Sequence, residues 1–387
     1  MIFMTTLSPS LTTTMLFSQG EIQGNGRRMN LESRKVKVLP KSNGSMHATL
    51  RDVARLANVS IKTVSRVVNH QGEIKDTTRQ RVQDAIDQLG YRPNILARSL
   101  IHQRSNTVAV VAWGIDYYGP SRTVVGIEKQ ANELGYSLFL SLVNHPDDGE
   151  YERILDTLIA RRVDGIIWAV PEVGNNRTWI KPSHLEQLLP IVFLSMETHP
   201  GLSVVKVDNR LGAIQATRHL IDQGRKKIGI ITGPLAWWEA RERFTGWQEA
   251  LQQAGLEPLP SLVFKSDDWS AVNGEQGMRA LLSQEPDLDA VFACNDQIAL
   301  GALGTAHALG RSIPKNLAIV GFDNIPESAF FWPPLTTVFQ QLVDVGCVAV
   351  KQLHQMIMAR RTNTGPGEAV TTVIKPELII RASSMAA

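Results

Sequence analysis

The stretch Ala48-Thr-Leu-Arg-Asp-Val-Ala-Arg-Leu-Ala-Asn-Val-Ser-Ile-Lys-Thr-Val-Ser-Arg-Val-Val-Asn69 decides the reading of this chain. Thr49 stands three residues before Asp52, the spacing at which a threonine and an acid cap each other's backbone N–H groups. Leu50, Val53, Ala54 and Ala57 then fall on one helical face. Asn58-Val59 interrupts the period, and Ser60 is placed to cap a second helix, Ile61 to Val68, with Val64, Val67 and Val68 turned inward. After the loop Asn69-His-Gln-Gly72, a third helix starts at Asp76 or Thr77 and runs to Leu89. Gly90 follows as the left-handed residue that ends many helices. Three short helices joined by tight turns predict a small all-α head over residues 47–92.

Working outward, charge divides the chain in the same place. Residues 47–104 carry a net charge of +5 and residues 1–46 one of +4, while the remainder carries −6, for a total of +3. A basic head on a mildly acidic body is the electrostatic layout of a nucleic-acid reader attached to something else. Residues 1–46 show no usable period and cluster Arg34, Lys35 and Lys37. They are expected to be a disordered extension or an over-extended start, with Met29 and Met46 as alternative initiators. Thr and Ser interrupt the apolar residues near the start, and no basic residue precedes them, so a secretory signal is not expected. No apolar run approaches the roughly 18 residues that span a bilayer, and a cytoplasmic protein with no membrane contact is expected. The chain has two cysteines, Cys294 and Cys347, too few for a disulfide framework or a Cys-based metal site, and both are expected buried and reduced.

Pro93-Asn-Ile-Leu-Ala-Arg-Ser-Leu100 follows the head. Pro suits a first-turn position, but so short a segment is not a stable helix alone, and residues 93–104 read as a hinge and linker. From Thr107 the texture changes. Val108–Ala112, Ser137–Leu142, Gly165–Val170, Ile191–Leu194, Lys227–Thr232, Ala290–Ala293 and Ala318–Phe322 read as buried strands. Arg122–Leu134, Glu150–Arg161, Arg210–Gln223, Arg241–Ala254, Asn273–Leu282 and Asp296–Leu309 read as the helices between them. Such alternation predicts parallel sheets covered on both faces. Residues 105–382 are too many for one such sheet, so two similar lobes are expected, with residues 383–387 as a tail.

In a helix–turn–helix the second helix enters the major groove N-terminal end first. Ile61, Lys62, Thr63, Ser65 and Arg66 are the exposed positions, between Ser60 and Asn69 at the helix ends. Lys and Arg read guanine edges or hold phosphates, Ser and Thr serve either role, and Ile presses on a thymine methyl. Solvated charges on a packed helix pair give the same pattern, so the pair alone does not decide. The wider stretch does: Asp52-Val-Ala, Val59-Ser, Thr63-Val-Ser-Arg-Val-Val-Asn69, Thr78-Arg, Leu89-Gly-Tyr-Arg-Pro-Asn94 and Ala97-Arg-Ser-Leu100 resemble the lac-repressor (LacI/GalR) family of bacterial regulators. The resemblance continues to about Arg381.

That resemblance implies a repressor that binds double-stranded operator DNA as a homodimer. Ile61 and Lys62 match positions that set operator choice, and Arg66 matches a base-contacting arginine. Residues 93–100 match the hinge helix, and Leu100 the leucine that wedges into the minor groove, where an apolar wedge kinks the duplex. The body is similar to two-lobed periplasmic sugar-binding proteins, with a ligand cleft between α/β lobes. Ligands of open α/β sheets sit beyond the strand carboxyl ends, where Arg243, Trp269, Asn295, Asp323 and Gln340 fall. By resemblance these match sugar-contacting positions of lac-type repressors, which implies a small sugar effector, a galactoside or related glycoside acting as inducer. Asn295-Asp296 also fits a helix cap, Asp323 a turn, and Trp269 a core residue. Ser195 departs from the pattern, since lac-type repressors carry an aspartate there. Trp113 and Tyr117, with Tyr118, are aromatic candidates for one face of the ligand or for packing between lobes.

No nucleophile elbow, metal cluster or Gly-rich phosphate loop is present, so neither a catalytic residue nor a cofactor is expected. A plain sugar-binding protein leaves the basic head unexplained. No heptad repeat follows Arg381, so a dimer rather than a tetramer is expected.

Overall fold

The computed structural model describes residues 48–69, 71–92, 105–146, 149–180, 189–362 and 368–385. The expectations for residues 1–46, for the hinge and for Leu100 lie outside the described residues. The chain forms two compact units, Met1–Pro93 and Asn94–Ala387.

The first unit holds α1 (Leu50–Leu56), α2 (Ile61–Val68) and α3 (Asp76–Leu89). The capping box of α1 is formed in both directions: the Thr49 side chain accepts from Asp52 N and the Asp52 carboxylate accepts from Thr49 N. Thr49 bonding holds the Asp52 carboxyl below the usual carboxylate range. Ser60 caps α2 by accepting from Thr63 N at 3.1 Å, and Gly90 ends α3 in left-handed geometry at φ 59°. Val53, Ala54, Ala57, Val64, Val67, Val82, Ala85 and Tyr91 close a core whose members the helical period largely anticipates.

The second unit has two six-stranded sheets. In the N-lobe, β1 (Thr107–Ala112), β2 (Ser137–Leu142), β3 (Gly165–Ala169), β4 (Ile191–Leu194) and β5 (Ser203–Val207) run parallel in the order β5-β4-β3-β1-β2. Its helices are α4 (Tyr118–Glu133) and α5 (Tyr151–Ala160). In the C-lobe, α6 (Asn209–Asp222), β6 (Ile228–Ile231), α7 (Trp238–Gln253), β7 (Val263–Phe264), α8 (Ala271–Gln284), β8 (Ala290–Ala293), α9 (Asp296–Ala308), β9 (Ala318–Asp323) and β10 (Thr336–Phe339) follow in turn. The chain then returns to the N-lobe as α10 (Leu342–Arg361) and β11 (Thr371–Ile374), which pairs with β5, and ends in the C-lobe with β12 (Glu377–Ile379), antiparallel to β10. Three crossings, after Val207, Phe339 and Ile374, therefore join the lobes.

Glycines set the tightest helix contacts. A Cβ on Gly126 would stand 2.0 Å from Val343 O, and one on Gly346 2.3 Å from Thr123 O. Backbone of α4 thus rests on backbone of α10. The C-lobe repeats the device: Gly274 against Ile298 O at 2.0 Å and Gly301 against Ala271 O at 1.9 Å bring α8 onto α9. Only a residue without Cβ permits such approach.

Two expectations need correction. The last residues are not a tail from 383 onward. Ser383 and Ser384 are fully buried. Ser383 N donates to Pro334 O at 2.9 Å and its Oγ to Ile319 O at 2.6 Å, while Ser384 Oγ meets His219 Nε2 at 2.7 Å. The Ser383 hydroxyl satisfies backbone of β9 and β10, donating to Ile319 O and accepting from Thr336 N, and the Ser384 hydroxyl joins the side chains of His219 and Thr336, which no apolar pattern signals. Of the two free cysteines, Cys294 is buried, but Cys347 is only half-buried. No helix of the described residues is long and apolar enough to cross a membrane.

Candidate effector cleft and DNA-reading head

On the head, Ile61, Lys62 and Arg66 are exposed on one side of α2 while Val64 and Val67 are buried on the other. Ile61, 46% exposed at the first helical position, is an apolar side chain left outside the core. Thr63 and Ser65 are half-buried at the edge of this face. Both already have partners: the Ser60 and Thr63 hydroxyls lie 2.9 Å apart, and Asn69 Nδ2 donates to Ser65 Oγ at 3.2 Å. Ser60 and Asn69 therefore brace the two ends of α2.

In the body, the carboxyl ends of the strands of both lobes converge on one cleft of about 920 Å³, open mouth included. Ala112, Ala169, Leu194 and Val207 mark the N-lobe ends, and Asn295, Asp323 and Gln340 the C-lobe ends. Seven of the expected residues line it together: Tyr117, Ser195, Arg243, Trp269, Asn295, Asp323 and Gln340. Trp113 is not among the lining residues. Its ring packs behind them, 5.3 Å from Trp237 and 6.0 Å from Tyr117 between centroids, and its Nε1 donates to Asn144 O. Of the two roles open to Trp113, the packing one is the one the geometry fits.

Arg243 is the hub. Its Nε donates to Asn209 Oδ1 at 2.8 Å, its Nη1 to Cys294 O and its Nη2 to Gln340 Oε1 at 3.3 Å. Nη1 lies 3.8 Å from Asp323 Oδ1, and the guanidinium stacks 3.8 Å above the Phe322 ring and 5.3 Å from the Trp269 ring. Gln340 Nε2 donates in turn to Asp323 Oδ1. Burial pushes the Asp323 carboxyl up to about 6, opposed by Arg243 and then by the Gln340 hydrogen bond. Asp323 also sits at φ 118°, a strained conformation for a side-chain-bearing residue.

Of the pair Asn295-Asp296, Asn295 takes the helix cap and also lines the cleft, while Asp296 does neither. Asn295 caps α9, accepting from Ile298 N at 2.8 Å, and its Nδ2 donates to Trp269 O at 3.0 Å. Asp296 is fully buried and clamps the neighbouring strands, accepting from Ile325 N at 2.8 Å and from Thr337 Oγ1 at 2.5 Å. Burial, and then the nearby Asp323 charge, push its carboxyl up to about 8. Trp269 lies on the β6 turn so closely that a Cβ on Gly233 would meet its ring at 2.2 Å.

Sequence reading missed Asn209, Trp237 and Glu239, all of which line the cleft. Glu239 had a signal, since it precedes Arg243 by four residues and shares its helical face. Asn209 follows β5, a strand that was not anticipated. The missed loop Pro171–Ile180 also joins the lobes. Gly174 N donates to Ala236 O at 3.1 Å, Trp238 N to Glu172 O at 2.9 Å, and Arg241 Nη2 to Glu172 Oε1 at 3.2 Å.

Residues 49–94 match the family described as bacterial regulatory proteins, lacI family, and residues 217–384 match a periplasmic binding protein-like domain. A transcriptional repressor named PurR from Mannheimia succiniciproducens is 33% identical over 338 residues, 87% of this chain and 98% of that one. The chain belongs to the LacI family of transcriptional repressors. Haemophilus influenzae PurR is 34% identical over 337 residues, with 87% of this chain and 98% of that one covered. Among solved structures, the regulator CelR in complex with cellobiose is 32% identical, covers 87% of this chain and 100% of its own, and superposes with a TM-score of 0.64. The Lac repressor dimer bound to operator and the anti-inducer ONPF is 29% identical over 88% of this chain and 100% of its own, at a TM-score of 0.77. This LacI-family repressor therefore has a helix–turn–helix head and a two-lobed periplasmic-binding-protein-like body, and it is a DNA-binding regulator rather than an enzyme.

Proposed function

We propose that this repressor holds its operator as a homodimer in the cytoplasm and releases it when a glycoside of one or two sugar rings fills the cleft. The observation that carries this reading is the lining itself: a planar guanidinium, amides and a carboxylate set among Tyr117, Trp237 and Trp269. Vicinal hydroxyls need paired donors and acceptors, and aromatic rings cover the C–H face of a sugar. The likeness to CelR with cellobiose favours the same class. The relatives named PurR do not carry a sugar in their names, and a flat heteroaromatic base also stacks on an exposed indole face. Operator release followed by fluorescence anisotropy against cellobiose, lactose and methyl β-galactoside, beside adenine, guanine and hypoxanthine, separates the two. Release by a glycoside is the expected result. Binding of a base alone, with operator affinity raised or unchanged by every sugar, would overturn it.

On the head, Ile61, Lys62, Thr63, Ser65 and Arg66 are proposed to meet the operator, with Ser60 and Asn69 holding the helix in place. Ser195 is proposed to contact the ligand only through its hydroxyl. Lys62→Ala should change which operator bases are preferred, by about 1–3 kcal/mol at the affected position, and Arg66→Ala should weaken operator binding while ligand affinity stays constant. A selection from a randomised operator library that returns the wild-type sequence with both variants would defeat this assignment.

A further inference from the structure

Glu239 and Asp323 are the two acids among the residues lining the cleft. Asp323 is engaged by Arg243 and Gln340. Glu239 is not matched in this way. It stands in the first turn of α7, one turn before Arg243, and its Oε2 is shielded from solvent with no hydrogen-bond partner among the described residues. Ser195, in left-handed backbone at φ 52°, faces it from the end of β4. Burial raises the Glu239 carboxyl, while a hydrogen bond from its own backbone N–H, then Arg243, then Ser195 favour its charged form. A desolvated acceptor without a partner costs free energy until something donates to it.

Two explanations compete for that oxygen. Glu239 is one of the acids near Arg177, a buried cation pushed down to about 10 by desolvation, with Glu172 acting on it more strongly. A role as counter-charge would make Glu239 structural. The position argues for a ligand instead: Glu239 lines the cleft and Arg177 does not, and no hydrogen bond or ion pair joins them among the described residues, although Arg177 Nε and Nη1 are themselves buried without a partner there. Arg177 Nη2 meets Val170 O, and Glu172 acts on it more strongly. Position 195 offers only a hydroxyl where a carboxylate is expected by resemblance.

We infer that Glu239 is the specificity-determining acceptor of this cleft, taking a donor hydroxyl of the saccharide on its idle oxygen while Ser195 braces the same carboxylate from the N-lobe side. The inference rests on the saccharide reading above. Ligand choice then depends on an acid whose placement differs from that of a carboxylate at position 195.

The test uses the full-length protein and the same glycosides, by calorimetry and by operator release. Glu239→Gln keeps the shape but replaces one acceptor oxygen with a donor, and affinity for the responding glycoside should fall about 10–100-fold, the scale of a lost charge-assisted hydrogen bond. Without ligand, Glu239→Gln should melt at or above the wild-type temperature, because a buried acid with an idle oxygen is a cost to the fold. Glu239→Gln combined with Ser195→Asp should regain affinity with a changed order of preference among the glycosides. A melting temperature several degrees lower makes Glu239 the counter-charge of Arg177 and overturns the inference. So does wild-type glycoside affinity in Glu239→Gln. A wild-type protein that ignores every glycoside fails the parent reading, and this one with it.

Discussion

Arg243→Ala should leave a repressor that still binds its operator but no longer responds to ligand at any ordinary concentration. The guanidinium ties the lobe crossings to the ligand space: it holds Asn209 at the first crossing and Gln340 at the second, and it faces Asp323 across 3.8 Å. Its loss removes the planar donors proposed for the sugar. It also leaves Asp323 buried without its nearby cation, which drives that carboxyl further into its neutral form. Several buried acceptors then lack donors at once, so ligand affinity should drop by roughly a hundredfold or more. The head is a separate compact unit with its own core, and its operator contacts do not depend on Arg243. Asp323→Ala should share the phenotype.

The same pair makes a pH prediction with a definite sign. Asp323 titrates near 6. Above that value its charged oxygens accept from the ligand and face Arg243. As pH falls through 6, the carboxyl gains a proton, becomes a donor and loses its attraction for the guanidinium, so ligand affinity should weaken. Anisotropy titrations between pH 5 and 8, read as operator release against glycoside concentration, check both statements. Normal response curves in Arg243→Ala and Asp323→Ala would place the effector site elsewhere.

Legibility in the sequence followed local physics. The head was readable because its caps and periods are local: Thr49 with Asp52, Ser60 with Thr63, Gly90 after Leu89. The apolar strands β1, β3, β4, β6, β8 and β9 were readable because both faces are buried, so each shows a continuous apolar run, while the half-exposed edge strand β2 was readable from its Leu-Phe-Leu run alone. β10 was not, because its buried positions Thr336 and Thr337 are polar, satisfied by Arg381 and Asp296 from far along the chain. α10 was not, because Val343, Val345, Val348 and Val350 crowd its first half and read as strand by propensity; packing against α4 overrides them. In the cleft, residues at strand ends could be placed as soon as the strands were. Asn209 and Trp237 required knowing where the lobes cross, and the difference between Trp113 and Tyr117 required the third dimension.

Replacing Phe330 and Trp332 with glutamate should convert the proposed homodimer to monomers and cost the repressor most of its operator affinity. These are the two most exposed large apolar side chains among the described residues, 87% and 83% accessible, on the loop between β9 and β10. Isolated exposed apolar residues need no explanation, but two large aromatic rings two positions apart on a fixed loop do. The loop is held in place: Arg381 donates to Asn324 Oδ1 and Leu335 O, both at 2.7 Å, Ser328 is fully buried, and Trp332 O meets His307 Nε2 at 2.7 Å. That last contact seats the loop beside α9, where Leu300 and the C-cap residue Leu309 are also exposed. Rigid aromatic anchors with apolar neighbours are what interface centres are made of. A large apolar ring fully buried contributes about 1.5–3 kcal/mol, and a two-fold axis would bury two copies of each ring, whereas a carboxylate in its place would be desolvated without a partner. A monomer holds one half-site at a time, so the loss of tethering should weaken binding to a two-half-site operator by roughly hundredfold to ten-thousandfold. Neither ring lines the cleft, so glycoside affinity by calorimetry should stay constant. Sedimentation equilibrium at micromolar protein is the deciding measurement: a wild-type dimer and a monomeric double variant are expected, and an undiminished dimer in the variant would put the two-fold contact on another face.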